Sequence, residues 1–287
     1  MQIQDHRLTD TAFLPAHFTG GEITPEIVIL HDTAGRLTLG NSAQYLASEN
    51  PAKASVHFVI ETDGTITQLV ETNRKANHAG KSSFQGKKWC NGFSIGIELV
   101  SPGRMSKAGK YGVTWFGKKF DFNLFDLVEM TTDTHGTGVW MPYPEAQIDS
   151  LMSLLTALFR DVKTLKDITT HWYVSPGRKV DPNPLFPLDE VRAQILGPDD
   201  PADAVAEEAS TPNTNDMVEI DTRGGALNMR RWPSFNDNIL TAIPDGTVVP
   251  VLRTGAFEGR DWHLVFYDGR EGWIVARYAA PTITSNR

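Results

Sequence analysis

The chain has 287 residues, 40% of them hydrophobic and 22% charged, with a formal net charge of −8. That balance is ordinary for a soluble globular protein and gives no electrostatic case for nucleic acid or an anionic lipid surface. The single cysteine, Cys90, excludes an internal disulfide framework, and no apolar run approaches the roughly 20 residues that span a bilayer, so no membrane insertion is expected.

The N-terminus, from Met1 to Arg7, is polar and lacks the apolar core of a signal peptide, which predicts a chain made in the cytoplasm. Glu26 to His31 is a short β-branched and apolar run and predicts a buried strand. His31 closes it beside a polar loop, a place suited to a ligand or catalytic group and equally to a core histidine bonded to backbone. Ser42 to Ser48 has helical character and is closed by Asn50-Pro51. A hairpin follows, with strands at Ala54–Ile60 and Thr65–Val70 around the turn signal Asp63-Gly64. His57 lies inside its first strand, either supporting a site from behind or simply packing. Asn77 and His78 fall in the next loop as candidate substrate contacts, with a place on the rim as the alternative.

Ser94–Val100 is apolar except for Glu98. Burying a lone carboxylate costs several kcal/mol unless it is paired, protonated or next to a metal. Glu98 is therefore the candidate general acid or base; a strand-end glutamate facing water is the bland alternative. Residues 101–142 look like an insertion, rich in Gly, Lys and aromatics. Gly112–Phe116 and Lys118–Phe122 are expected as two strands around Gly117, in a flap beside the site, and His135 as a plain loop residue. Tyr143–Gln147 opens an amphipathic helix with Ile148, Leu151, Leu154, Leu155, Leu158 and Phe159 at helical spacing. Ile168–His171 is a short strand, and Pro187–Leu196 a last helix. Between them, Pro176, Gly177 and Pro182 predict a loop rather than regular helix over His171–Pro182, carrying His171, Lys179 and Asp181. Read blandly, it is a surface loop with a capping Asp and a solvated Lys.

Residues 198–216 are dominated by Pro, Asp, Ala, Glu, Ser, Thr and Asn, the composition of a linker. Beyond it, Ala226–Arg230, Val248–Leu252, Trp262–Tyr267 and Glu271–Val275 alternate as short strands with turns at Pro244-Asp245-Gly246 and Asp268-Gly269, predicting a small β-barrel over 217–287.

His31, His171 and Asp181 together offer three nitrogen and oxygen donors, the number a catalytic zinc takes from its protein while keeping one position open. Such a zinc polarises a carbonyl and brings the pKa of water toward about 7. Glu98 would move the water's proton and Lys179 would stabilise an oxyanion, so the reaction implied is amide hydrolysis. Donors this far apart in sequence do not by themselves fix that assignment.

Five segments in order carry a resemblance: Val28–Ala34, Val56–Ile60 with Asp63-Gly64, Asn77–Gly80, Ser94–Leu99, and His171 through Lys179-Val180-Asp181-Pro182. Over roughly residues 20–197 the chain resembles the zinc-dependent N-acetylmuramoyl-L-alanine amidases of type 2, which include AmpD-like enzymes, phage endolysins and peptidoglycan recognition proteins. The resemblance implies an α/β fold, a mixed β-sheet flanked by helices, over a catalytic domain of residues 1–197. It implies zinc on His31, His171 and Asp181, catalysis by Glu98 and Lys179, and peptidoglycan or muropeptides as partner. The 101–142 insertion exceeds the compact family pattern, so substrate preference is not carried over. Leu227–Arg230, Pro244–Val249 and Gly272–Val275 with Tyr278 resemble a bacterial SH3 domain, a module that commonly binds cell-wall peptides; a barrel that only packs or mediates dimers is the alternative. The runner-up function is a non-catalytic peptidoglycan-binding protein, and a third is a zinc peptidase cutting within the stem peptide. The expected place of action is the cell wall after release through a holin or another route, with cytoplasmic recycling as the alternative.

Overall fold

The computed structural model describes residues 1–132, 134–196, 217–230, 233, 239–257 and 260–282. The chain divides into two compact units, one of Met1–Thr131 with His135–Asp200, the other of Thr132–Thr134 with Pro201–Arg287. The expected linker, 198–216, lies outside the described residues.

The first unit is built on a six-stranded mixed sheet. Its strands are β1 (Ala12–Phe13), β2 (Ile27–Asp32), β3 (Phe58–Ile60), β4 (Ile66–Gln68), β5 (Ser94–Leu99) and β6 (Asp167–Thr170). They lie in the order β6-β2-β5-β3-β4-β1. All neighbours are parallel except the antiparallel pair β3–β4. That pair is the expected hairpin, shorter than its hydrophobic pattern suggested. Gly64 in its turn takes φ +86, and a Cβ there would lie 2.6 Å from the carbonyl oxygen of Ala146.

Three helices flank the sheet: α1 (Asn41–Ala47), α2 (Glu145–Asp161) and α3 (Leu188–Leu196). The period of two along each strand sorts the side chains. Val28, Leu30, Phe58, Ile60, Ile95, Ile97 and Leu99 share one cluster with Leu151, Leu154, Leu155 and Leu158 of α2 and Val191 and Leu196 of α3. Val59 points the other way and packs with Ala43, Leu46 and Ala47 of α1. A buried ion pair, Arg192 Nη1 to Asp167 Oδ1 at 2.5 Å, ties α3 to the start of β6.

The structure departs from the expected loop at His171–Val174, which form a single helical turn. Ser175 then leaves helical geometry, ahead of Pro176 and of Gly177 at φ +72. The breakers act where they stand rather than across the whole stretch. In the insertion, the two expected strands are Tyr111–Val113 and Lys119–Asp121, joined to Ser106–Ala108 in a three-stranded sheet. A further hairpin, Val128–Thr132 with Gly136–Trp140, was not foreseen. Met105, Phe120, Leu127, Val139 and Met141 give the insertion its own small core.

Among its described residues, the second unit's regular elements are strands apart from one 3-10 turn, Ala276–Tyr278. Its strands are β7 (Met217–Ile220), β8 (Ala226–Arg230), β9 (Ile239–Pro244), β10 (Val248–Phe257), β11 (Arg260–Tyr267), β12 (Arg270–Val275) and β13 (Ala279–Pro281). They form a seven-stranded sheet in the order β9-β8-β12-β11-β10-β7-β13, with antiparallel pairing. Tyr267 pairs with Arg270, so Asp268-Gly269 form a two-residue turn, both at positive φ as a type I′ turn requires. Val218, Ile220, Leu227, Met229, Ile243, Val249, Val265 and Ile274 fill its core.

Candidate metal centre

The parallel register places the site. Glu98 of β5 is the Cα partner of His31 on β2. On the other side Thr170 of β6 pairs with Leu30, so His171 follows at the level of His31. All three groups stand at the carboxyl ends of neighbouring parallel strands, where open α/β sheets hold their ligands. Alternation puts His31 and Glu98 on the face opposite the α2 leucines.

Three donor atoms converge there. His31 Nδ1 lies 2.9 Å from His171 Nδ1 and 3.2 Å from Asp181 Oδ2, and His171 Nδ1 lies 2.8 Å from Asp181 Oδ2. Zinc bonds of about 2.0–2.2 Å in a tetrahedron set donors roughly 3.3–3.6 Å apart, so the triangle is slightly tight but of the right size. Two imidazoles and a carboxylate are the donor chemistry that zinc takes. Burial and the neighbouring His171 lower the pKa of His31 to about 4, which keeps it a neutral ligand. Burial pushes Asp181 upward, but hydrogen bonds from His171 and His31 outweigh it and hold the carboxyl well below its ordinary range.

The other ring nitrogen of each imidazole, Nε2, has partners of its own. His171 Nε2 lies 3.2 Å from the Ala79 carbonyl oxygen and 3.4 Å from Arg178 Nη2, which itself donates to that carbonyl. His31 Nε2 lies 3.0 Å from His78 Nδ1, His78 Nε2 lies 3.3 Å from Ser94 Oγ, and Ser94 Oγ donates to the Cys90 carbonyl at 2.6 Å. This relay ends on backbone and orients the ring of His31. It needs Gly96, because a Cβ there would lie 2.6 Å from the His78 ring.

Glu98 Oε2 is buried and has no hydrogen-bond partner. Burial first, then Asp181 and Asp32, raise its pKa well above the usual range, while Lys179 pulls the other way. The carboxyl is a strong proton acceptor with an oxygen not yet engaged. Lys179 reaches both His31 and Glu98 electrostatically.

The remaining sequence candidates separate. His78 touches His31 rather than standing on the rim. His57 is fully buried, donating from Nε2 to the Arg74 carbonyl at 2.8 Å and accepting from the Gly96 amide at 3.0 Å. Both its nitrogens serve backbone, and through Gly96 it buttresses β5. Asn77 donates its side-chain amide to the Lys53 carbonyl at 3.0 Å.

Sequence reasoning missed Asp32, Tyr143 and Asn183. Asp32 Oδ2 accepts from Tyr143 Oη at 3.0 Å and from the Asn183 amide at 2.9 Å, tying the segment after Asp181 to the end of β2. Burial and Asp181 raise Asp32 to about 7. Its only sequence signal is its place next to His31. His135, expected as a plain loop residue, is buried with Nε2 3.1 Å from the Pro182 carbonyl.

Residues 21–184 match the N-acetylmuramoyl-L-alanine amidase family. The 1,6-anhydro-N-acetylmuramyl-L-alanine amidase AmpD of Citrobacter freundii is 31% identical over 156 residues, 54% of this chain and 64% of that protein. The N-acetylmuramoyl-L-alanine amidase AmiD of Escherichia coli strain K12 is 26% identical over 181 residues, 60% of this chain and 54% of that protein. The chain thus spans less than two thirds of the length of either relative. A crystal structure of a Se-Met AmpD derivative aligns with a TM-score of 0.49 at 24% identity, over 68% of this chain and 99% of that one. With a family match over more than half of its residues, and with His31, His171 and Asp181 gathered inside or at the edge of that span, the chain belongs to the N-acetylmuramoyl-L-alanine amidase family.

Proposed function

We propose that the first unit is a zinc-dependent hydrolase of the amide between the lactyl carbonyl of N-acetylmuramic acid and the L-alanine amine of the peptidoglycan stem peptide. The observation that carries this reading is the convergence of His31, His171 and Asp181 donors beside the buried, unpartnered Glu98 oxygen. Those three residues would hold the ion. Zinc bound there supplies Lewis acidity, polarising the amide carbonyl and bringing the pKa of water toward about 7.

The chain's own groups do the rest. Glu98, kept basic by burial, accepts the proton of the attacking water and returns it to the leaving amine as the carbon–nitrogen bond breaks. The Lys179 ammonium offers its donors to the charge that develops on the carbonyl oxygen. Ser94 and His78 keep His31 in register, and Asp32 with Tyr143 holds the Asp181 segment against the sheet.

Residues 1–197 are then the catalytic domain, 198–216 a linker, and 217–287 a bacterial SH3-like unit that binds cell-wall peptides. The all-β sheet of the second unit and its type I′ turn support that assignment. A wall-binding unit goes with action on wall polymer more than on soluble fragments.

The test is digestion of purified sacculi with and without a chelator, read by mass spectrometry. Release of stem peptides with a free L-alanine N-terminus, abolished by the chelator and restored by zinc, is the expected result. Cleavage within the stem peptide would make the protein a peptidase. Wall binding with no cleavage of sacculi or soluble muropeptides would make it a recognition protein.

A further inference from the structure

The insertion touches, at two points, segments that carry donor residues. The Trp115 indole N–H donates to the Ala34 carbonyl at 2.7 Å, three residues beyond His31. His135 meets the Pro182 carbonyl directly after Asp181, and its ring lies against Trp140 and Trp172. One contact falls on each of two segments that carry donors. The approach at Ala34 is close: a Cβ on Gly103 would lie 2.6 Å from the Ala34 Cβ.

Trp115 is 77% exposed although its one polar atom is already bonded. It sits in the Thr114–Gly117 turn, closed by the Gly117 amide on the Thr114 carbonyl and the Thr114 amide on the Lys118 carbonyl, both at 2.9 Å. Phe116 meets its ring edge-on at 5.3 Å. A large indole is thus fixed in orientation with its apolar face left to solvent. A core role does not account for it, and a rigid aromatic at low entropy cost suits recognition.

Trp115 also lines a groove of about 390 Å³ with Arg104, Lys107, Thr114, Glu129 and Thr137. The polar groups there are organised. Lys107 pairs with Glu129, Arg104 bonds the Thr137 carbonyl, and Thr131 and Thr137 hydroxyls lie 2.9 Å apart. Lys107 and Glu129 offset each other, which leaves one positive charge, on Arg104, among neutral hydrogen-bonding groups. A flat apolar platform beside hydrogen-bonding groups of both kinds matches a pyranose ring, which has an apolar C–H face and a rim of hydroxyls.

We infer that Trp115 and this groove form a sugar-binding subsite for the glycan strand flanking the muramic acid whose amide is cut. The inference rests on the amidase reading for its placement: the cleaved bond hangs from one sugar, so the next sugars must run over the surface beside the metal centre. The insertion would then favour polymeric glycan over single-sugar fragments.

The full chain is titrated calorimetrically with a peptide-free GlcNAc–MurNAc tetrasaccharide and, separately, with free stem peptide. Trp115→Ala should weaken the tetrasaccharide about tenfold, the order expected for one lost aromatic stacking contact. Trp115→Phe keeps a ring face but lacks the N–H, and should stay within about threefold of the parent chain. Because the side chain is exposed, thermal melts should show both variants folded. Equal affinity in Trp115→Ala, no tetrasaccharide binding by the parent chain, or a loss confined to the stem peptide would each overturn the subsite. So would a Trp115→Phe variant as weak as Trp115→Ala, which would make the indole only an anchor for the insertion. Failure of the amidase reading shows separately, as tetrasaccharide binding without release of L-alanine-terminated peptides.

Discussion

The two faces of the central sheet use the same strands for opposite ends. On one face Val28, Leu30, Ile95, Ile97 and Leu99 meet the leucines of α2 in a closed aliphatic layer. On the other, the residues between them bring His31 and Glu98 side by side, with Gly96 making room for His78. The aliphatic face pins the register, and the register alone decides which residues meet on the polar face. A slip of one residue would exchange the two sets. The site therefore inherits its geometry from packing that never touches it.

Breaking each face separately sharpens this contrast. His31→Ala should abolish stoichiometric zinc and lower amidase turnover by more than about 10³-fold, with the thermal melt of the metal-free protein little changed; metal analysis beside kinetics checks it. Glu98→Gln should keep zinc and lower kcat by roughly 10²–10⁴-fold. Retained turnover in that variant would remove Glu98 from proton transfer. Leu154→Ala on the aliphatic side should cost about 2–5 kcal/mol of stability in denaturant titration, while the folded fraction still binds zinc at one equivalent. His78→Ala should leave the fold intact and weaken zinc about 10–100-fold in a chelator competition assay, the usual effect of losing the partner that orients a ligand imidazole. An unchanged zinc affinity there would mean that the Ser94–His78 relay is packing alone.

Much of this was legible in the sequence, for a physical reason. A single polar residue in or closing an apolar strand stands out, and both His31 and Glu98 do so. Asp268-Gly269 announced its turn because few residue pairs take positive φ at both positions, and Asp63-Gly64 did so through Gly64 alone. The Asp181 and Lys179 assignments leaned on family resemblance, since a loop carries no period. What stayed hidden depends on approach in space. Nothing local marks Ser94 as the end of a relay, or Tyr143 as the partner of Asp32 across 111 residues. His57 reads as a site residue until both its nitrogens are seen on backbone. The two-residue strands Ile3–Gln4, Arg7–Leu8 and β1 are too short to show alternation at all. The Gly136–Trp140 hairpin was missed because its Gly-rich start hides the pattern.

The donor triangle spans sequence separations of 140 and 150 residues to His31 but only 10 between His171 and Asp181. An ion held there is a removable cross-link between an interior strand and a loop. Its contribution to stability is then set by mass action: at a free concentration one hundred times Kd it adds about 2.7 kcal/mol. Metal supply would act as a thermostat on the first unit, raising its melting temperature with each decade of free zinc. The second unit has no share in that triangle, and its transition should stay where it is.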